Sequence, residues 1–348
     1  MLLCLIVSLI DRLAFAATSL ESKDNNYFLS IRMPNVTPQR VDELICTAAK
    51  LDPRESYIVR FTPHASKASA HHMMLYGCRS PASFSPSWIC NQNQTPSGPS
   101  HDAVCLEDTK HIVFAWALDA PEKALPEGVG LRVSGDTGIN YLVVQLHYAK
   151  AFPPGVTDNS GYTLEMTNSR PPQQVGYLVL GNWGVIPPQK YEFYLDSFCE
   201  FPLNDTVYPI AYRTHSHNLG VVTSGYRIRA GLWVEIGRNS PQLPQAFYKV
   251  SNPGMNIRPG DVLASRCVMN SVSRDKDTII GPRNHDEMCN FYIMYTTYQQ
   301  RNLEDIMCFQ KSNSDTSRDV FPPDSGSLDG IPGADKVKKK FRTAASLG

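Results

Sequence analysis

Five of the nine histidines stand in patterns that could gather a metal: His71-His72 within SAHHMMLYGC, His147 within YLVVQLHY, and His215 and His217 within YRTHSHNLG. In an extended strand, residues i and i+2 point to one face. His215 and His217 can therefore reach one ion, and Gln145 and His147 share a face. His71 and His72 would alternate in a flat strand and can share an ion only where the chain twists strongly or bulges. One such motif alone reads as readily as structural or exposed histidines; three in one chain shift the balance towards metal. Imidazole suits zinc, copper, iron and nickel. No carboxylate stands with two histidines as a facial triad, and no CxxC pair supports a zinc ribbon or thioredoxin-type site. A thioether ligand would favour copper, because Cu(I) accepts Met. Composition cannot choose among ten methionines. Met73, Met74 and Met288 lie near these segments, each with core packing as its ordinary role.

The elements that must position these residues read as strands. Short aromatic and β-branched runs are broken by Pro, Gly, Asn and Asp, which favours an all-β chain with many turns. The first set of strands is Tyr27–Met33, Tyr57–Phe61, His71–Tyr76, Ile112–Ala117, Tyr141–Tyr148 and Tyr162–Met166. A break follows at Arg170-Pro171-Pro172-Gln173-Gln174, where proline removes donors. The second set is Gly176–Leu180, Glu192–Phe198, Tyr208–His215, Gly220–Arg229, Leu232–Gly237, Val262–Val268 and Asn290–Tyr298. Two antiparallel β-sandwich, jelly-roll-like domains side by side fit this pattern, over residues 24–170 and 175–310. Short helical turns are expected near Pro38–Ala49 and Asn302–Met307. Residues 311–348, with the basic run Lys336-Val337-Lys338-Lys339-Lys340, read as a disordered tail.

The first 17 residues, with an apolar run from Leu2 to Ile10 and an Ala14-Phe15-Ala16 site, read as a secretory signal peptide. No later run approaches the roughly 18 apolar residues of a membrane span. Formal net charge is zero, which gives no support to a nucleic-acid binder. Beyond Cys4 in the leader, the cysteines are Cys46, Cys78, Cys90, Cys105, Cys199, Cys267, Cys289 and Cys308. An even count in a secreted chain implies disulfides, whose partners spacing cannot choose. Sequons at Asn35, Asn93 and Asn204 are glycosylation candidates that fit the same route.

Taken together, HHMMLYGC, QLHY, AYRTHSHNLGVVTSGYR, RNSPQLPQAFY and DEMCNFYIMY resemble segments of the peptidylglycine alpha-hydroxylating monooxygenases, of the copper type II, ascorbate-dependent monooxygenase family. The resemblance runs from about Tyr27 to Cys308. It implies two β-sandwich domains, each with one copper, facing each other across a solvent-filled cleft. It implies that His71, His72 and His147 hold the first copper, an electron-storage site, and that His215, His217 and Met288 hold the second, where oxygen is activated. It further implies that Arg213, Asn290 and Tyr292 grip a peptide carboxylate, a task suited to a planar guanidinium, and that Gln145 lines the cleft near the first copper. It proposes the disulfides Cys46–Cys90, Cys78–Cys105, Cys199–Cys308 and Cys267–Cys289. The chain departs from the family pattern at Asn218, where relatives often carry another His, and at Leu44, which replaces an aromatic residue. His64, His101, His111 and His285 receive no role.

The implied reaction hydroxylates the α carbon of a C-terminal glycine, the first step of peptide amidation in neuropeptide processing. O2 is the co-substrate and ascorbate the reductant. Expected partners are glycine-extended peptides and a separate peptidyl-hydroxyglycine lyase acting downstream, since the chain is too short for a lyase domain of its own. The enzyme is expected as a monomer in the secretory pathway, in the vesicle lumen or secreted, without nucleic acid or a transmembrane segment. The rival readings are a catecholamine-type (dopamine beta-monooxygenase-like) copper hydroxylase, which would not need the carboxylate clamp, a non-catalytic copper-binding or adhesion sandwich, and a zinc hydrolase, which would need a general-base carboxylate.

Overall fold

The computed structural model describes residues 26–90, 103–107, 110–281, 285–302, 305–310 and 320–346. The expected leader and the Asn93 sequon lie outside them, while Asn35 and Asn204 sit exposed at the surface. Apart from one helix, the regular elements of the described chain are strands, arranged as two antiparallel β-sandwiches.

A ten-stranded sheet runs through both sandwiches. Its first half carries Asn26–Arg32, Gly161–Thr167, Ser56–His64 and Val129–Val133; its second carries Gln173–Asn182, Asn290–Thr297, Tyr208–His215 and Tyr248–Lys249. The halves meet where Gln173 and Gln174 pair in parallel with Val129 and Gly130. The chain thus passes from the first set of strands to the second across Pro171 and Pro172 without ending the sheet. A five-stranded sheet covers the first half, in the order Trp88–Ile89, Glu43–Lys50, Tyr141–Tyr148, His72–Cys78, His111–Ala117. A four-stranded sheet covers the second, in the order Phe193–Glu200, Val262–Met269, Gly220–Arg229, Leu232–Asn239.

Alternation along Tyr208–His215 and Asn290–Thr297 gives the second sandwich its core. Tyr212 and Phe291 turn towards the four-stranded sheet and stack on each other at 5.6 Å. Beneath them that sheet carries Gly237 and Gly225, where a Cβ would fall 2.2 Å from the Tyr212 ring and 2.1 Å from the Phe291 ring. Only glycine lets the two sheets approach this closely. The intervening residues Arg213, His215, Asn290 and Tyr292 face the other way, towards the first sandwich.

The helical turn expected near Pro38–Ala49 is mostly strand instead, because Glu43–Lys50 pairs along its whole length with Tyr141–Tyr148. Its Glu, Leu and Ala content favours helix locally, but ladder bonds and a buried Cys46 override that preference. The turn expected near Asn302–Met307 likewise gives way to the strand Asp305–Gln310, parallel to Gln173–Asn182.

Disulfides join Cys46–Cys90, Cys78–Cys105 and Cys267–Cys289. Cys199 and Cys308, the expected fourth bridge, are free thiols in hydrogen-bond contact with each other. The topology brings the expected partners together without bonding them.

The described part of the expected tail is folded. Phe321 is buried among Phe198, Trp233 and Tyr226, with the Arg266 guanidinium 4.1 Å from its ring centre. The chain continues into a helix, α1 (Ala334–Ser346), whose Ala334, Val337 and Phe341 pack with Ile331 onto Val222, Leu243 and Val268. Its polar composition suggested a solvated segment, but a few apolar residues at i, i+3 and i+7 supply a face narrow enough to dock. Phe321→Ala is expected to lower the free energy of unfolding by about 3 kcal/mol, read from urea titrations of the whole chain. An unshifted midpoint would show that this segment adds nothing to stability.

Candidate metal centres and substrate clamp

The first donor set grows out of one antiparallel pairing. His72 and His147 stand directly opposite on neighbouring strands. His71 lies just ahead of its strand, and its N–H donates to the His147 carbonyl at 2.9 Å. Leaving the regular pleat frees His71 from strict alternation, so adjacent residues converge. The Nδ1 atom of His71 lies 3.3 Å from Nδ1 of His147 and 3.3 Å from Nδ1 of His72. Donors about 2.0 Å from a tetrahedral ion sit roughly 3.3 Å apart, so the three rings fit a metal through Nδ1. The opposite nitrogen of His147, Nε2, donates to the Asp42 carboxylate at 3.1 Å. That bond requires the tautomer that leaves Nδ1 as a lone pair. Asp42 holds a left-handed φ of 58°, a conformation Asp tolerates better than most residues.

The second set is built with the opposite ring nitrogen. His215 donates Nδ1–H to Gln245 Oε1 at 2.6 Å, and His217 donates Nδ1–H to the Asp286 carbonyl at 2.9 Å. Both Nε2 atoms are left as acceptors, with ring centres 5.5 Å apart. Asn290, the cross-strand neighbour of His215, reaches the Met288 sulfur at 3.8 Å and the Tyr292 hydroxyl at 3.4 Å. Two imidazoles and a thioether, were all three to meet one ion, would form a donor set suited to Cu(I).

Glu287, fully buried, ties this set together. One oxygen accepts the backbone N–H of His217 and of Met288, the latter at 2.8 Å; the other accepts that of Leu219 at 2.7 Å. Burial raises its pKa, against the pull of His217 and these donors. Its position between Asp286 and Met288 in DEMCNFY was the only sequence signal for this role. Asp42 and Gln245 were likewise missed, since carboxylates and amides that support ligands follow no spacing rule.

Arg213 stands directly opposite Tyr292, its guanidinium carbon 5.2 Å from the ring centre. It is 2% exposed and donates Nε–H to the Gln245 carbonyl at 2.8 Å. Among the described residues no carboxylate pairs with it, and burial holds its pKa below the ordinary guanidinium value. A buried cation without a counter-ion is costly, so the site favours an incoming anion. Gln145, expected in an open cleft, is instead fully buried and donates to the Cys90 carbonyl at 3.1 Å. His64 bonds Thr163, and His285 pairs with the carboxylate of Asp286, the residue whose carbonyl holds His217; His101 lies outside the described residues.

The two donor sets adjoin. His71 and His217 have ring centres 6.3 Å apart, where a solvent-filled cleft was expected. An apolar seam accounts for the closure: Phe247 of the second sandwich sits 5.7 Å from Phe114 of the first and 5.8 Å from Tyr177. Burying such rings is favourable by about 25 cal/mol per Å² of apolar surface.

Both halves of the chain match models of one family. Residues 29–152 match the copper type II ascorbate-dependent monooxygenase N-terminal domain, and residues 173–321 match its C-terminal domain. The chain belongs to the copper type II ascorbate-dependent monooxygenase family. It is 44% identical over 275 residues to peptidyl-glycine alpha-amidating monooxygenase A of Xenopus laevis, covering 78% of this chain and 28% of that protein. Against peptidyl-glycine alpha-amidating monooxygenase of Mus musculus it is 40% identical over 310 residues, covering 87% and 30%. Identity to dopamine beta-hydroxylase of Canis lupus familiaris is lower, 28% over 268 residues, covering 71% and 41%. The chain thus spans under a third of the length of the amidating relatives it matches. No helix among the described residues is long and apolar enough to cross a membrane.

Burial, followed by neighbouring imidazoles, lowers the pKa of His71 to about 4 from an ordinary 6.5. Burial likewise holds His72 well below its ordinary value, and His215 too, where Arg213 is the next cause. Between these values the unfolded chain binds more protons than the folded one, so stability must fall as pH drops through that window. The urea midpoint of the metal-free protein is expected to be lower at pH 5 than at pH 7. An equal or higher midpoint at pH 5 would mean that the folded protein accepts protons on these rings.

Proposed function

We propose that this chain hydroxylates the α carbon of the C-terminal glycine of peptides, using two coppers, ascorbate and O2, as the first step of C-terminal amidation. The single observation that carries the peptide reading is Arg213. It is a buried guanidinium with no carboxylate partner among the described residues, on the same strand face as His215 and opposite Tyr292, while Asn290 stands opposite His215. A phenethylamine offers no carboxylate to that position, so the clamp favours the peptide reading over a catecholamine-type hydroxylase. The higher identity to amidating enzymes supports the same choice.

His71, His72 and His147 would hold one copper through Nδ1, and His215, His217 and Met288 the other through Nε2 and sulfur. Bound copper supplies oxygen activation and one-electron chemistry. In the balanced reaction one atom of O2 enters the glycine α C–H bond as hydroxyl and the other leaves as water, with two electrons from ascorbate and two protons.

This chain's residues supply placement. Arg213 fixes the carboxylate, and Asn290 bridges the clamp to Met288. The α carbon, one bond from that carboxylate, is thereby held beside the His215–His217 pair. Glu287 keeps His217 and Met288 at fixed separation as charge on the site changes. The His71–His217 contact gives the most direct route between the donor sets. Because Arg213 is almost unexposed, peptide entry requires the two faces to part at the Phe114–Phe247 seam. A peptidyl-hydroxyglycine lyase would consume the product. The disulfides and the exposed Asn35 and Asn204 sequons support a secretory location, and we read the enzyme as a monomer.

The deciding experiment combines copper content with ascorbate-driven conversion of a glycine-extended peptide. About two coppers per chain and a hydroxyglycine product are expected; turnover of a phenethylamine but no peptide would reverse the assignment. Met288→Ala is expected to abolish hydroxylation with the circular dichroism spectrum unchanged, and near-normal turnover would remove Met288 from the second set. Arg213→Lys keeps the charge but loses the two-pronged grip, and is expected to raise KM for peptides about tenfold or more. An unaltered KM would end its assigned role.

A further inference from the structure

The helix α1 docks against the outside of the loop that supports the second donor set, and this contact has no part in the reaction described above. Leu243, in its apolar seat, is flanked by two glutamines that hold the histidines. Gln245 accepts from His215 Nδ1 and donates to the carbonyls of Ser216 and Pro241, at 3.0 and 2.9 Å. Gln242 donates its amide to the carbonyls of His217 and Gly220, at 2.7 and 2.8 Å. From α1, the Lys340 ammonium donates to Gln242 Oε1 and to the Asn218 carbonyl, the latter at 3.3 Å.

An ammonium has donors and no acceptor. Against a carboxamide it must meet the oxygen, and this turns the NH2 of Gln242 towards the His217 and Gly220 carbonyls. Lys340 therefore sets the amide's orientation and also grips the residue after His217. The same turn is held from inside by Glu287 through the N–H groups of His217 and Leu219. Burial lowers the pKa of Lys340 while Glu287 opposes that shift, so the two clamps also attract each other through the turn.

We propose that α1 is a brace for the second donor set, with Lys340 as its positioning residue: when α1 is seated, the His217–Gly220 turn is rigid and the set binds copper tightly, and when it is unseated, the turn loosens. The proposal rests on the reading that His215, His217 and Met288 bind copper. It predicts an effect confined to that set, since α1 packs on the second sandwich alone.

The test uses the full chain with Lys340→Met, Lys340→Arg and, as a control one turn earlier on α1 and outside the Gln242 and Asn218 contacts, Lys336→Gln. In metal-free protein, amide hydrogen exchange over residues 216–220 is expected to speed up about tenfold in Lys340→Met, as loss of a hydrogen bond to a charged group would give. Lys340→Arg should restore most of the protection, and Lys336→Gln should match the parent. In Cu(I) titrations, Lys340→Met should weaken one of two bound coppers about tenfold and leave the other unchanged. Parent-like exchange in Lys340→Met, or equal weakening of both coppers, would overturn the proposal. If the parent chain binds no second copper, the metal assignment fails, while the exchange measurement still decides whether Lys340 braces the turn. Phe341→Asp, which unseats the whole helix, should exceed Lys340→Met in its effect on exchange; a smaller effect would also count against the brace.

Discussion

The arrangement of this protein depends on register in two antiparallel strand pairs. His72 faces His147 in one; Arg213 faces Tyr292 and His215 faces Asn290 in the other. Side chains alternate with a period of two, so a slip of one residue in either pair would send every donor to the opposite face. The second pair makes the constraint plain. Its other face carries Tyr212 and Phe291, locked over two glycines that admit no side chain. Core packing on one face thereby fixes which residues point to the other. The chemistry of the site is held by a core it does not touch.

The apolar seam joins residues of both sandwiches. Phe114, paired with Leu75, comes from the core face of the first sandwich, while Tyr177 shares its sheet face with Tyr292; Phe247 packs against both rings. Burial, ahead of repulsion from neighbouring charges, disfavours protonation of His71, His72, His147 and His215. Neutral imidazole is the form that binds metal, so the burial that disfavours protonation prepares the ligands. Arg213 belongs to the same environment: among the described residues no carboxylate offsets its buried charge, which is the basis of the proposed carboxylate grip.

Around these groups stands a ring of supporting contacts, each fixing a nitrogen, an amide or a backbone turn. Asp42 sets the tautomer of His147. Gln245 and the Asp286 carbonyl set those of His215 and His217, and Glu287 binds the turn carrying His217 to Met288. The C-terminal segment adds an outer layer through Gln242. Ligand geometry is thus over-determined at the second set, where two strands, a disulfide-anchored loop and a helix converge.

What the sequence by itself determined was the strand class, the two-sandwich division and the family, because period-two alternation and several ordered motifs are local signals. The five clustered histidines also stood out there, since like residues at fixed spacing are legible without a fold. Partners that meet only across distant segments were not: Glu287 under His217, Asp42 behind His147, Gln242 between His217 and Lys340. Nor could local preference show that Glu43–Lys50 would be a strand or that residues after 320 would dock, because long-range pairing and burial outweigh propensity. The tertiary structure alone decided that the two donor sets adjoin, because the separation of two faces is set by the side chains packed between them.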